Sequence, residues 1–444
     1  MGSGRRDWVR SVRALSLFGT GAGLVLTAAT PAAASGFYLQ EQSVRGYGRA
    51  NSGEVADQGP ASLWWNPAAV GWDEGGSRLS ASFGATGILP TGRVEDRGTL
   101  IDRPGAPPAP VGGGPLQRDP VQKGVLPSSA FALRLGDRLA LGLAITSPYS
   151  FTSDYDDSGW QRYSGIRTRL LTLDIQPSIA FAPTDWLSLG AGLNIEYSDA
   201  FLSNALPNLA PGSADGRIRL DANGWDLGWS VGAQLRPAPR VTIGVAYKSS
   251  VKHEIDGSVE ISGLVGPLAG RNVAAASSAR FATPWQLTLG ARAGVGAATT
   301  LNVQAARVGW SKFERIDFGP PLNSSIPEGY KDIWSLAFGV DQQAGERLTL
   351  RAGIQFDATP TRDATRDPRV PDGDRVNYTL GGSLRMGERL TLDAAAGLIV
   401  SASGPIERDE AFYAGTAAET LVLSSGRVEN SRVIVLALGG RIDF

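Results

Sequence analysis

The stretch RLTLRAGIQFD, residues 347–357, alternates in polarity at every step. Leu348, Leu350, Ala352, Ile354 and Phe356 fall on one side; Thr349, Arg351, Gly353, Gln355 and Asp357 fall on the other. Successive side chains of a strand point to opposite faces, so this segment reads as a strand with one apolar face. Residues 187–198 repeat the pattern, with Leu187, Leu189, Ala191, Leu193, Ile195 and Tyr197 on the apolar side. So do residues 224–235, where Trp225, Leu227, Trp229, Val231, Ala233 and Leu235 share a face.

A soluble sandwich with its apolar face inward and a membrane barrel with its apolar face outward both produce such strands. Length and loop asymmetry separate them. Many segments run 12 to 18 residues, where soluble strands hold about 5–6. Six connections are very short: Gly136-Asp137-Arg138, Pro183-Thr184-Asp185, Pro237-Ala238-Pro239, Gly296-Ala297-Ala298, Gln343-Ala344-Gly345 and Gly387-Glu388-Arg389. Long polar connections lie between them, at 88–127, 151–165, 201–216, 257–274, 314–328, 359–371 and 402–426. Short turns at one rim and long loops at the other mark an outer-membrane barrel. The fold expected is all-β, a transmembrane antiparallel barrel of about fourteen strands over residues 76–444.

Composition agrees. Forty-two Lys and Arg face 43 Asp and Glu, without the basic excess of a nucleic-acid binder. The chain has no cysteine, which removes thiolate metal sites and disulfides. Its one histidine, His253, leaves little for a metal site or a catalytic relay, and no cofactor is expected. Glycine is high at 57 residues, with 11 Trp and 10 Tyr to mark a water–lipid boundary.

The first 34 residues read as an export signal, with Arg5, Arg6, Arg10 and Arg13 before a short apolar run and Ala32-Ala33-Ala34 at its end. Residues 35–75 break the alternation and are rich in glycine, ending in Leu63-Trp64-Trp65-Asn66-Pro67-Ala68. About eight strands already enclose only what side chains can fill, so fourteen leave a bore to be blocked. This N-terminal segment is the expected plug. At the other end, Ile434, Leu436, Leu438, Gly440, Ile442 and Phe444 alternate up to a terminal aromatic, a signal for the barrel assembly machinery.

Several short motifs, in order, resemble the FadL/TodX family of long-chain fatty acid and hydrocarbon transporters. They are Gly36-Phe37, Gly46-Tyr47-Gly48-Arg49-Ala50 with Ser52-Gly53, and Asn66-Pro67-Ala68. Further along come Tyr247-Lys248-Ser249-Ser250-Val251-Lys252, Trp310-Ser311-Lys312-Phe313, Gly353-Ile354-Gln355-Phe356-Asp357 and Pro371-Asp372-Gly373-Asp374-Arg375. The resemblance implies a fourteen-stranded barrel with an N-terminal hatch. It implies passive uptake of hydrophobic compounds, foremost long-chain fatty acids, across the outer membrane of a Gram-negative bacterium. It also implies sideways release into the membrane where the third strand, here 138–150, kinks inward; Gly142 and Pro148 are the residues in it that suit a bend. Phe37 matches the hatch residue that projects toward the inner pocket. Gly48 and Arg49 belong to the hatch motif, and Asn66-Pro67-Ala68 would hold the hatch at the wall, Pro67 fixing φ and Asn66 bonding backbone.

A desolvated carboxylate needs a cation or a donor. Lys248, Lys252, Lys312 and Arg315, near the outer ends of strands, are the candidates. Where the family carries a lysine a few residues beyond its Trp-Ser-x-Phe motif, this chain has Asp317. Uptake of neutral aromatic or alkane hydrocarbons by the same barrel is the nearest alternative. A general porin, an adhesin acting through the 88–127 loop, and an outer-membrane lipase are further classes. The lipase would require a nucleophile beside a base, and the alternation puts His253 on the outward face. A monomer, and no enzyme, is expected.

Overall fold

Alternating strands this long must pair along their whole length, because the hydrocarbon offers no other partner for an N–H or a C=O. The computed structural model describes residues 36–72 and 77–444. The export signal therefore lies outside the described residues. The barrel begins with β1 Leu79–Asp96, β2 Gly124–Arg134, β3 Leu139–Thr146 continued by Phe151–Asp154, β4 Arg167–Thr184 and β5 Leu187–Leu206. Next come β6 Gly216–Ala238, β7 Val241–Lys248 with Lys252–Ser262, β8 Val273–Ala282 with Trp285–Val295, and β9 Thr299–Gly309. β10 Ile333–Gln343, β11 Leu348–Asp357, β12 Arg375–Met386, β13 Leu390–Ser401 with Gly404–Phe412, and β14 Thr420–Asp443 complete it. Each pairs antiparallel with its neighbours, and β14 returns to β1, with Ser80 opposite Asp443 and Ile88 opposite Val435. The wall is a closed barrel of fourteen strands, as the alternation predicts.

The apolar faces look outward. Leu438 is 70%, Leu227 67% and Leu380 66% exposed, values that no soluble core would leave to water. Outward aromatics pair across strands on either side of Leu227: Tyr197 with Trp225 at 5.1 Å, and Trp229 with Tyr247 at 5.3 Å between ring centroids. Six short turns close one rim, such as 185–186 and 239–240.

Most of the expected long loops are shorter than the alternation suggests, two of them markedly. β1 continues to Asp96 and β13 resumes at Gly404, so much of 88–127 and of 402–426 is strand. Beyond the lipid, the outer face of a strand no longer has to be apolar, and the alternation that betrays it disappears. Glu95 there stands opposite Arg427, and Arg97 reaches Glu429 at 3.1 Å. Pairing goes on where the sequence signal stops.

Residues 36–72 form one α-helical turn, α1 Val44–Tyr47, and three 3₁₀ turns at Glu54–Ala56, Pro60–Ser62 and Pro67–Val70. This inner segment is almost wholly buried and touches the inward faces of strands all round the barrel. Wall glycines make the fit possible. A Cβ on Gly353 would lie 2.2 Å from the Arg49 carbonyl carbon, and one on Gly190 2.3 Å from the Ala68 nitrogen. Backbone meets backbone there, and nothing larger than hydrogen fits.

Replacing Leu438 by Arg would put a charge against lipid and should cost about 2–4 kcal/mol if the site lies near the bilayer midplane. Equilibrium refolding into vesicles should show that loss for L438R, and a much smaller one for L438A.

Candidate functional site

The inner segment is fixed to the wall through charge. Arg49 has no exposed surface and binds Glu54 and Asp57 of its own segment, the latter at 2.6 Å. It also faces Asp341 of β10 at 3.5 Å. Arg292 of β8 bridges Asp57 at 3.3 Å and Asp341 at 3.0 Å, and Arg351 of β11 holds Asp341 at 2.7 Å. Burial would push the Asp57 carboxyl up, but Arg292, Arg45 and Arg49 together hold it well below the usual carboxylate range. Asn66 accepts from Ala68 N at 2.9 Å and donates to Val55 O at 2.7 Å and to Ala233 O of β6 at 3.2 Å. Pro67 opens the 3₁₀ turn behind it, and the Ala68 carbonyl accepts from Ser188 of β5 at 2.8 Å. Gly48 lies against Gly381 of β12.

Ahead of this clamp the chain runs as a tail, Gly36 to Gln42, into an aromatic pocket. The Phe37 ring sits 4.9 Å from Trp310, 5.0 Å from Phe313, 5.7 Å from Phe151 and 6.1 Å from Tyr149, between centroids. Trp64, Val308, Tyr330 and Ile333 extend the same apolar cluster. Phe37 thus occupies the centre of the most aromatic volume in the barrel. Beside it, a narrow cleft of about 30 Å³ is lined by Gly36, Val370, Pro120 and Val121, room for no more than a water or two while Phe37 is in place.

The wall is broken beside this pocket. Thr146 of β3 pairs with Asp174, yet Phe151 pairs with Leu170, so four residues on one strand face three on the other. The extra residue turns Ser147–Ser150 inward. Leu39 N there donates to Pro148 O at 2.8 Å, Ser150 N to Phe37 O at 3.1 Å, and Tyr38 bridges Tyr149. The tail takes over hydrogen bonds that a straight β3 would give to β2. Pairing between β2 and β3 accordingly stops at Ser129 and Ile145, and contact returns only near Val121 and Ser153. Gly142 lies below the kink, over Leu63 of the inner segment.

A polar group lines the pocket on the β4–β7 side. Lys248 lies 3.9 Å from Asp174, 3.1 Å from Gln176 Oε1 and 3.9 Å from the Trp64 ring centroid. Trp64 Nε1 donates to Asp174 at 3.2 Å. His253 faces inward and is buried, which corrects the outward placement expected from alternation. Its Nδ1 lies 3.2 Å from Asp226 and its Nε2 3.4 Å from Glu196, while its ring stacks on Phe281. The cause is a one-residue bulge in β7. Ser230 pairs with Lys248, whereas Asn223 pairs with Asp256 where 255 would keep register. A slip of one residue exchanges the two faces.

The same bulge turns Lys252 outward, where it is exposed with Lys312 and Arg315, the last paired to Asp317 at 2.8 Å. Of the four cations read from the sequence, the structure brings only Lys248 to the pocket. Tyr149, Asp174, Glu196 and Asp226 were not singled out, because inward polar residues of a barrel strand carry no mark of which of them meet.

A family model described as "Outer membrane protein transport protein (OMPP1/FadL/TodX)" matches residues 25–444. This chain belongs to that family. Outer membrane protein P1 of Haemophilus influenzae is 26% identical over 415 residues, covering 83% of this chain and 86% of that protein. The long-chain fatty acid transport protein of Escherichia coli K12 is 25% identical over 406 residues, covering 82% and 87%. The crystal structure of a Pseudomonas aeruginosa FadL homologue superposes with a TM-score of 0.80 at 25% identity, covering 92% of this chain and all of that one. The Ralstonia pickettii toluene transporter TbuX shares the fold, with a TM-score of 0.61 at 20% identity over 90% of this chain and 98% of its own. The protein is therefore an outer-membrane transport barrel of a Gram-negative bacterium.

Above the pocket of this FadL/TodX-family barrel, outer loops are tied by ions. Arg369 binds Asp367 and, at 3.3 Å, Glu328; Arg408 of β13 reaches Asp367 at 3.1 Å and Glu410 at 3.1 Å. Tyr155 donates its hydroxyl to Pro368 O at 2.5 Å. Burial pushes the Glu328 carboxyl up to about 7 against the pull of Arg369.

Two outcomes are expected. Arg49→Ala leaves three buried carboxylates short of a counter-ion and should destabilise the inner segment by about 3–5 kcal/mol; planar bilayers should then show more ion conductance than with the parent. Glu328 has its folded pKa above the unfolded value, so its contribution to loop closure is complete below about 4.5 and is lost as pH rises to about 7. Hydrogen-exchange protection in residues 328–372, taken relative to the intrinsic rate at each pH, should be lower at pH 8 than at pH 5, and Glu328→Gln should flatten that difference.

Proposed function

We propose that this barrel takes up hydrophobic compounds passively, holding them in the aromatic pocket and releasing them sideways through the gap between β2 and β3. The observation that carries the reading is that gap, open at the level where Phe37 sits and bounded by the inward turn at Ser147–Ser150. Residues 36–72 act as the hatch that keeps ions out, and displacement of the tail carrying Phe37 makes room for the ligand.

The energetics favour this route. A molecule entering the pocket gains about 0.8 kcal/mol for each CH₂ removed from water. Leaving between two strands passes it into lipid without returning that surface to water. A continuous aqueous pore would offer no such gain, and the charged clamp around Arg49 crosses the bore beneath the pocket.

Long-chain fatty acids, named for the Escherichia coli relative, satisfy the apolar requirement, and so do neutral hydrocarbons. One observation favours the second reading: Asp317 occupies the place of a cation beyond Trp310-Ser311-Lys312-Phe313, and Arg315 is spent on it. The barrel is proposed to work as a monomer, with Phe444 at the end of β14 read by the assembly machinery.

Deleting Ser147 removes the extra residue and should let β3 pair with β2 throughout. In proteoliposomes loaded with a hydrophobic fluorophore sink, uptake should fall at least ten-fold while the heat-modifiable mobility of a folded barrel persists. Unchanged uptake in a folded deletion variant would remove lateral release.

A further inference from the structure

The pocket is apolar at its centre, but charge rings it on every side. On the β4–β7 side, Lys248 and His253 stand against Asp174, Glu196 and Asp226. Toward β11 and β12, Arg375 alone answers Asp357 at 3.3 Å, with buried Glu41 and Asp372 also beside it. In the roof, Arg369 and Arg408 face Glu328, Asp367 and Glu410, while Arg366 is matched by Asp363. All three groups hold more acids than bases. Lys248, the cation nearest the aromatic centre, already has Asp174 as its counter-ion and the Trp64 face over its ammonium. Arg93 stands at the rim of the cleft, exposed to solvent.

A second feature points to what this surround would accept. Asp174 Oδ1 and Asn194 Oδ1 are buried acceptors without a hydrogen-bond partner, on side chains 1% and 3% exposed. Across the pocket, Trp310 Nε1 and Tyr330 Oη are buried donors in the same state. A hydroxyl is donor and acceptor at once and suits either set. A carboxylate can use only the donors, which are neutral, and it would enter a region that already holds more acidic groups than basic ones, nearly all of the latter paired.

From this arrangement we infer that the pocket selects hydrophobic molecules with an uncharged hydroxyl head, alcohols or phenols, over carboxylates of the same chain length. The inference rests on the uptake reading above, whose pocket it specifies. Trp64 is shared by both parts of the site, since its ring borders Tyr38 in the aromatic cluster and its Nε1 donates to Asp174. A chain lying among Tyr38, Tyr149 and Trp310 in place of Phe37 would therefore present its head to that acceptor set or to the donors opposite.

The test is equilibrium dialysis of tritiated dodecanol, dodecanoate and dodecane against the purified protein in detergent, with empty micelles as blank. Dodecanol should bind at least ten-fold more tightly than dodecanoate at pH 7.5, and more tightly than dodecane. The gap to dodecanoate should close as pH falls below the pKa of that acid and its head becomes neutral. Asp174→Asn frees the Lys248 charge and should raise dodecanoate affinity about ten-fold. Glu196→Gln, which leaves the Lys248 ion pair in place, should raise it less and serves if the first variant fails to fold. Dodecanoate binding as well as dodecanol at pH 7.5 would overturn the inference, and so would dodecane matching dodecanol. Failure of all three to bind would instead overturn the uptake reading, and this inference with it.

Discussion

Everything here depends on the fact that a backbone in hydrocarbon can bond only to another strand. That forces closure, and closure of fourteen strands creates a bore too wide for the wall's own side chains. The lumen then needs a second body, and that body needs a wall it can approach. Glycines such as Gly190 and Gly353 lie where inner segment and wall touch through backbone. What looks in the sequence like weak strand propensity is the condition for filling the barrel.

Local departures from regular pairing supply what a perfect barrel would lack. One extra residue in β3 opens the wall and gives the tail a strand to bond; one in β7 exchanges faces and turns His253 inward while sending Lys252 out. Each departure costs ladder hydrogen bonds. In β3 the tail restores two of them through Leu39 N and Phe37 O, so the opening and the position of Phe37 are parts of one arrangement. A wall without the tail would leave Ser147–Ser150 with unpaired backbone groups.

The fold was legible because lipid imposes a rule on every second residue. In 347–357 that rule is complete, and β11 spans Leu348–Asp357. Where lipid ends, the rule ends too, and the outer parts of β1, β13 and β14 carry the sequence pattern of loops. The site was less legible for the same reason. Inward positions obey no periodic constraint on polarity, and a bulge, which decides which residues are inward, leaves no compositional trace. Trp310 and Phe313 could be picked out as a motif, but nothing in the order of residues tells that Asp174 and Glu196 converge with Lys248 and His253.

The inner segment is held by two kinds of force, and they differ in what motion they permit. Around Arg49 the contacts are buried ion pairs, and displacing any member strands charge in a region of low dielectric. Around Phe37 the contacts are ring edges and faces, together with two backbone hydrogen bonds to β3. An apolar ligand can replace those ring contacts with its own at little net cost, whereas no such ligand can replace a guanidinium. The weaker attachment is therefore the stretch ahead of α1, and the stronger is the clamp behind it. On the proposed reading, that division is what would let one inner segment both block ions and yield to a hydrophobic ligand.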